Sequence, residues 1–436
     1  MLNEITFHID TVHIVVTIVI FLLTFAFITT ETMPNAIAAS LGAFLLIAFH
    51  ILSQEEALET IDFDTIGLLC GMMITVAVMR KSGIFEYIAI KGIKITKGNP
   101  WRILVTMSIV TAILSAFLDN VTTVLIIVPL TFALADSIKI DPTPILISEI
   151  LFSNIGGAAT LIGDPPNIMI GGETGLDFMA FITHNTPVII LVSIATIYLL
   201  KLIYYKKLNA IETDSEVING FDETKAITNK RFFWTSLILF ALIVLAFTTH
   251  NLHHISLASI ALGGGFMMMM VTKQEPEEIL KEVEWGTLFF FIGLFIIIGG
   301  LEKTGSIGFL AEKMVKISGG KVEIASQMIL WLSALATTFI NSIPYTATMI
   351  SVIADMSKMT TENIEPLWWA LSLGACLGGN GTLIGAAANI IVAGFTQKSA
   401  YPIRFKDYLK IGLPLMLVSI AITSIYFYVR YSVLRI

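Results

Sequence analysis

Long apolar runs separated by short polar interruptions fill this chain from end to end. Runs at 12–30, 187–202, 232–246 and 411–429 are each about long enough to cross roughly 30 Å of hydrocarbon as a helix. A membrane β-barrel is excluded, because its strands would be about ten residues long and would alternate in polarity. The pattern predicts about ten crossings. In the first half these fall at 13–31, 35–52, 65–80, 143–172 and 185–204, and in the second at 232–249, 253–272, 286–301, 366–395 and 408–432. Two further apolar stretches, 101–136 and 323–357, are split near the middle by Asp119-Asn120 and by Asn341-Ser342-Ile343-Pro344. They read as re-entrant hairpins that dip in and return, or as full paired crossings; hydropathy does not separate the two. Irregular backbone at that depth is tolerable only where protein or a watery cavity satisfies it. Segments 83–98 and 305–319 are too short and too charged to span, and are expected to lie along the membrane surface and lead into each hairpin.

The interruptions recur at one offset. Asn167 is answered by Asn389, 222 positions on, and the same shift carries Thr65 onto Thr287, Lys81 and Gly83 onto Lys303 and Gly305, and Lys94 onto Lys316. It also carries Thr160-Leu161-Ile162-Gly163 onto Thr382-Leu383-Ile384-Gly385, and no gap is needed over roughly a hundred residues. An odd number of crossings per half makes the halves face opposite ways. The expected fold class is therefore an all-α polytopic membrane protein of two inverted-topology repeats, each with about five spans plus a re-entrant hairpin and an interrupted helix. The repeats are placed at 1–205 and 232–436, with a cytoplasmic linker at 206–231.

Composition agrees: 56% of the 436 residues are hydrophobic, 14% are charged, and mean hydropathy is +0.84. That is not a soluble globular composition. The start, Met1-Leu2-Asn3-Glu4, lacks the positive charge of a cleavable signal peptide, so the first apolar run is expected to stay as a helix. Most of the 26 lysines and arginines fall on one side if the N-terminus is outside, among them Arg80, Lys81, Lys91, Lys206 and Arg231, while 53–64 holds acids and no base. By the positive-inside tendency that side is cytoplasmic. Both termini are then outside, in a multi-pass protein of the plasma (inner) membrane. Lys303, Lys313, Lys316 and Lys321 run against the rule, as copies of cytoplasmic residues. Net charge is −7 with no basic cluster, so no nucleic-acid partner is expected. Cys70 and Cys376 read as small packing residues.

The candidate site sits where the spans break. Asp119-Asn120-Val121-Thr122-Thr123 and Asn154 through Gly163-Asp164-Pro165-Pro166-Asn167 in the first half face Asn341-Ser342-Ile343-Pro344 and Gly379-Asn380-Gly381-Thr382 through Gly385 to Asn389 in the second. Paired glycines, a Pro-Pro and several asparagines weaken a continuous helix. A broken helix offers unpaired carbonyls and half-helix ends, which suit Na⁺ at C-terminal ends and anions at N-terminal ends. Asn and Thr add oxygen ligands for a hard cation, or donors for an oxyanion. The alternative is close helix packing through small residues. Intramembrane acids are functional candidates by default. Asp119, Asp164 and Glu149 all belong to the first half, and their partners Asn341, Ala386 and Leu371 are neutral. One half is therefore expected to carry the ion-coordinating or titratable work. Asp119 and Asp164 also read as caps of broken helix ends, and Glu149 as a coupling residue or a bridge to a neighbouring helix. His250, His253 and His254 form a weak metal candidate. No P-loop, HExxH or GxSxG motif occurs, so neither ATP-driven pumping by this chain alone nor enzyme chemistry is expected.

At these motifs the sequence resembles the ion transporter superfamily. The branch is that of ArsB-type arsenite permeases, NhaD-type Na⁺/H⁺ antiporters and P-protein-type permeases, the last being most similar. The likeness is carried by Ser115 through Thr123, Asn154 through Asn167, Ile343 through Ile350 and Gly374 through Gly385. It implies inverted repeats that meet near the midplane, elevator-like alternating access, and a homodimer whose scaffold comes from the early spans of each half. In the related dicarboxylate symporters, hairpin-tip Ser-Asn-Thr motifs bind Na⁺ and carboxylate. Here Asn120 is kept, while the second tip reads Asn341-Ser342. The P-protein pattern has Asp-Asn before Ile-Pro at that place.

The combined expectation is a secondary transporter of a small inorganic ion, working by arsenite-like anion efflux or Na⁺/H⁺ exchange. Asp119, Asn120, Asn167, Asn341, Ser342 and Asn389 surround one site in this reading, completed by Asp164 and the carbonyls near Gly163 and Gly385. Na⁺ or H⁺ is the coupling ion, and no other cofactor or metal is expected. The partners are the lipid bilayer, a second copy, and a separate ATPase subunit if one exists. A passive channel and a Na⁺-coupled carboxylate symporter remain the alternatives.

Overall fold

The computed structural model describes residues 2–30, 32–209, 220, 222–227, 229–253 and 255–434. Much of the predicted linker (210–219, 221 and 228) lies outside the described residues, as do His254 and the His253 side chain of the histidine trio. The described part of the trio, His250, places Nδ1 3.0 Å from the Phe247 carbonyl.

The chain is helical, and the helices repeat. In the first half α1 (Leu2–Thr30) is followed by α2 (Asn35–Ala48), α3 (Gln54–Glu59), α4 (Phe63–Ser82) and α5 (Ile84–Ile95). Then come α6 (Pro100–Ser115), α7 (Asn120–Ile138), α8 (Thr143–Gly157), α9 (Pro165–Thr174), α10 (Phe178–His184) and α11 (Thr186–Asn209). The second half begins with α12 (Lys230–His253), α13 (Leu257–Thr272), α14 (Pro276–Leu280), α15 (Trp285–Lys303) and α16 (Ser306–Ser318). It continues with α17 (Val322–Thr337), α18 (Ser342–Ser357), α19 (Glu365–Gly378), α20 (Ala387–Gln397) and α21 (Phe405–Phe427). From α2/α13 to α9/α20, each helix start recurs 222 residues later. The cause is local: stop and start signals were duplicated with the chain. Thus α4 ends at Gly83 with φ +79°, and α15 ends just before Gly305 with φ +74°. Both are left-handed positions that glycine adopts without a Cβ penalty.

Seven of the described helices are long and apolar enough to cross a membrane: Val12–Thr30, Phe63–Ser82, Asn120–Ile138, Thr186–Asn209, Lys230–His250, Trp285–Lys303 and Phe405–Tyr431. The crossings expected at 35–52 and 253–272 are shorter helices, α2 and α13. The stretches at 101–136 and 323–357 each form two helices with a short break, as their polar centres predicted. The arms of the second are both 16 residues, whereas in the first α6 has 16 and α7 has 19, the length of a span. The segments 83–98 and 305–319 form the amphipathic helices α5 and α16.

Packing exchanges partners between the halves. Helix α4 lies on α13 and α15 lies on α2, each through a glycine that leaves no room for a Cβ. One added to Gly71 would sit 2.3 Å from the Ala261 carbonyl carbon, and one on Gly293 would sit 2.6 Å from that of Ala39. Gly293 and Ala261 are the 222-shifted copies of Gly71 and Ala39, so the two contacts are one contact made twice. Within each half, α8 packs on α6 through Gly156 against Ala112, and α19 packs on α17 through Gly378 against Ala334. This arrangement is two inverted repeats closed around a pseudo-two-fold axis.

The surface repeats the theme. Lys81 Nζ lies 2.7 Å from Glu278 Oε2, and Lys303 Nζ lies 2.6 Å from Glu56 Oε1, the same pair under the shift. The hydrogen bond from Lys303 holds the Glu56 carboxyl below its ordinary value of 4.5. A lowered carboxyl pKa adds stability above the unfolded value that is lost as pH falls through the folded one. Acidification below pH 4.5 is therefore expected to lower the unfolding temperature in detergent, and Glu56→Gln to flatten part of that slope. The pair is solvent-exposed, so the change is small. The linker is not featureless either: Lys94 pairs with Glu223 at 2.6 Å, tying its described end to α5.

Candidate functional site

Each hairpin turns at a capped helix start. Asp119 is the N-cap of α7, with Oδ1 accepting from Thr122 N at 2.7 Å and Oδ2 from Thr122 Oγ1 at 2.5 Å. Asn341 caps α18, accepting from Ile343 N at 3.0 Å. A cap side chain satisfies backbone donors that the first helical turn leaves open. The interrupted helices break at 158–164 and 382–386, where the chain crosses back on itself. Gly157 and Gly163 pass so closely that a Cβ on either would meet the other's carbonyl oxygen at 2.6–2.7 Å, and one on Gly385 would meet the Gly379 carbonyl at 2.6 Å. The loops are tied to the hairpins by a repeated bond. Thr160 Oγ1 donates to the Ala116 carbonyl, and Thr382 Oγ1 to the Thr338 carbonyl.

Tips and breaks together enclose a cavity of about 540 Å³. Of the candidate residues, Asp119, Asn120, Asp164, Pro165, Asn341 and Ser342 line it. Thr122 lines a separate small pocket of about 50 Å³, together with the Arg80–Glu282 ion pair. The other candidates stand behind the lining. Asn167 Nδ2 donates to the Thr160 carbonyl at 2.8 Å, and Asn389 Nδ2 to the Gly379 and Thr382 carbonyls at 2.8 and 2.9 Å. These two asparagines hold the broken backbone in shape, in company with Gly163, Gly385, Thr382 and Asn380, whose own carbonyl accepts from Tyr408 Oη at 3.0 Å. Thr123 bonds back to the Asp119 carbonyl, and Pro344 takes a bond from Thr348 on its carbonyl. Glu149 lies elsewhere, fully buried between α8 and α7. Its Oε1 accepts from Thr131 Oγ1 at 2.5 Å, and its Oε2 has no partner among the described residues.

Several residues of the site did not stand out in the sequence. Glu284, the N-cap position of α15, lines the cavity within electrostatic reach of Asp119. Its copy Asp62 caps α4, and that repeated acid was the available signal. Asn154 joins three other asparagines. Cys376 is more than filler, since its thiol lies 3.6 Å from Asn167 Oδ1 and beside the Asp164 carboxylate. Ser372 bridges Asn167 and Asn185, at 2.6 and 2.8 Å. No group of three or more His, Cys, Asp or Glu side chains among the described residues is arranged to hold a metal ion.

The two ends of the cavity differ. It reaches the first turns of α2 and α15, at 34–36 and 284–287, which lie side by side. The later turns of α9 and α20 also differ in their contacts. A Cβ on Gly172 of α9 would meet Thr65 Oγ1 at 2.4 Å and Asp62 Oδ2 at 2.6 Å, whereas one on its copy Gly394 would meet nothing within 4 Å.

Known proteins resemble this chain. The citrate transporter family, CitMHS, matches residues 25–374. An uncharacterized transporter of Mycobacterium tuberculosis is 38% identical over 96% of this chain and 99% of its own length. The P protein of Mus musculus is 33% identical over 94% of this chain, which spans 59% of that longer protein. Among solved structures, the YdaH transporter of Alcanivorax borkumensis superposes with a TM-score of 0.57, covering 84% of this chain and 85% of that one at 15% identity. That is a likeness of fold. A helical, multi-pass protein with paired interrupted spans and such relatives is a membrane transporter, and the chain belongs to the citrate transporter (CitMHS) family, of the ArsB/NhaD type.

Proposed function

We propose that the protein is a secondary active transporter that moves a small inorganic ion by alternating access, with Na⁺ or H⁺ as the coupling ion. One observation carries this reading. The cavity between the two tips presents Asp119, Asp164 and Glu284 and has no lysine or arginine among its lining residues. Carboxylates held in so confined a space attract cations and repel multivalent anions far more strongly than they would in water. Cation exchange is thereby favoured over arsenite-like efflux. The buried Glu149 is a second candidate for proton coupling. The functional unit in this reading is a homodimer in the plasma membrane, with the repeats 1–205 and 232–436 joined on the cytoplasmic side by 206–231.

Na⁺-coupled carboxylate symport is the second reading. The family description and the cavity volume, which lies within the range of small-molecule sites, favour it. Solid-supported-membrane electrophysiology on purified protein separates the two. Cation exchange predicts currents on Na⁺ or pH jumps without any organic anion, whereas symport predicts currents only when a carboxylate and Na⁺ are both present. Flux that ignores the gradient of every second ion would identify a passive channel and end both readings.

A further inference from the structure

We propose that Asn154 is a positioning residue that turns the amide oxygen of Asn120 toward the cavity and so sets the site for a cation. The inference rests on the transport reading above and assigns a residue through which its selectivity arises.

The argument starts from carbonyls, which only accept. Asn389 donates Nδ2 to the Gly379 and Thr382 carbonyls, and Asn380 donates Nδ2 to the Leu151 carbonyl at 3.2 Å. Both amides are therefore fixed, and each must present Oδ1 on its other side. Those two oxygens face Asn154, which donates Nδ2 to Asn380 Oδ1 at 2.9 Å and to Asn389 Oδ1 at 3.0 Å. Asn154 Oδ1 is then left to accept, and Asn120 Nδ2 donates to it at 3.1 Å.

One end of the Asn120 amide is thus occupied, and its Oδ1 accepts from no group among the described residues. Asn120 is 7% exposed and lines the cavity beside Asp119 and Asp164. Its Oδ1 keeps contact with the cavity space, where it can accept from a donor or coordinate a cation. The relay has no copy in the second half. The residues equivalent to Asn120 and Asn154 are Ser342 and Cys376, neither of which has an amide to orient. The choice between oxygen and N–H at the cavity wall is therefore made once, by Asn154.

The test uses purified full-length protein in proteoliposomes, with Na⁺ and pH jumps as the probes. Asn154→Ala frees the Asn120 amide to turn, and is expected to raise the half-saturating cation concentration by at least about tenfold, the scale of one hydrogen bond to a charge. A merely structural role would lower current amplitude and leave half-saturation in place. Asn154→Asp keeps the size. Once protonated, the introduced carboxyl donates to Asn389 and still accepts from Asn120. Its half-saturation, measured relative to wild type at each pH, should recover as pH is lowered, while that of Asn154→Ala does not. Unchanged half-saturation in folded Asn154→Ala, or equal pH behaviour of the two variants, overturns the proposal. If the wild type itself answers no cation jump, the transport reading fails instead, and the two failures are distinguishable.

Discussion

Replacing Asp164 with asparagine is expected to raise the half-saturating concentration of the transported or coupling cation by roughly 30- to 150-fold. That range corresponds to about 2–3 kcal/mol for a contact to a charged group. Asp164 is 3% exposed, lines the cavity, and has a thiol, that of Cys376, as its side-chain partner. The helix start it precedes takes no bond from its side chain. Its carboxyl is therefore available to a ligand in a way that the carboxyl of Asp119 is not. Both oxygens of Asp119 already serve Thr122, so Asp119→Asn keeps much of the cap and should move half-saturation less. The two variants are compared by electrophysiology at fixed protein density. An Asp164→Asn protein with wild-type half-saturation for every cation tried would remove Asp164 from the site.

The second large effect concerns access. In the present arrangement Gly172 is docked on Asp62 and Thr65, while a Cβ on its copy Gly394 would meet nothing within 4 Å. The proposed alternating access implies a second arrangement, with Gly394 docked and Gly172 released. Paired cysteines report on each. Thr65→Cys with Gly172→Cys is expected to cross-link in the arrangement described, and Thr287→Cys with Gly394→Cys only in its opposite, since Cβ atoms must approach to about 3.5–4.5 Å. Cys70→Ala supplies the background, and the buried Cys376 is left in place. Both pairs should arrest transport on oxidation and release it on reduction, a loss approaching the whole signal. A Thr287–Gly394 pair that never cross-links in a fully active transporter would rule out the exchange of docking points.

These predictions draw unequally on what could be read from residues alone. The repeat was legible because it is written in local signals: Gly83 and Gly305 stop their helices, Asn120 and Ser342 start theirs, and each obeys only its own neighbours. The hairpin tips and the two breaks were legible for the same reason. What those breaks do was not. Asn167 and Asn389 read as ligands, yet their amides are spent on carbonyls seven residues away, because a chain that leaves the helix must satisfy its own backbone first. Glu284 was hidden among the surface acids Glu275, Glu277, Glu278 and Glu282. Only the folding of α15 beside the first tip turns it inward. Asn154 looked like one more polar residue in a broken span, and its part depends on three amides brought from other segments.

The doubled ion pair has a consequence for how such a chain arose. Lys81 reaches Glu278, and Lys303 reaches Glu56, so each lysine is answered by the opposite half. A half-length precursor would have carried both partners on one face. Two copies meeting antiparallel through that same face would have closed both bridges at once, which is the geometry of a self-complementary dimer. Fusion then contributed effective concentration and no new chemistry. It also released each half to diverge, and Asp119, Asp164 and Glu149, whose copies Asn341, Ala386 and Leu371 are neutral, are what that freedom left behind.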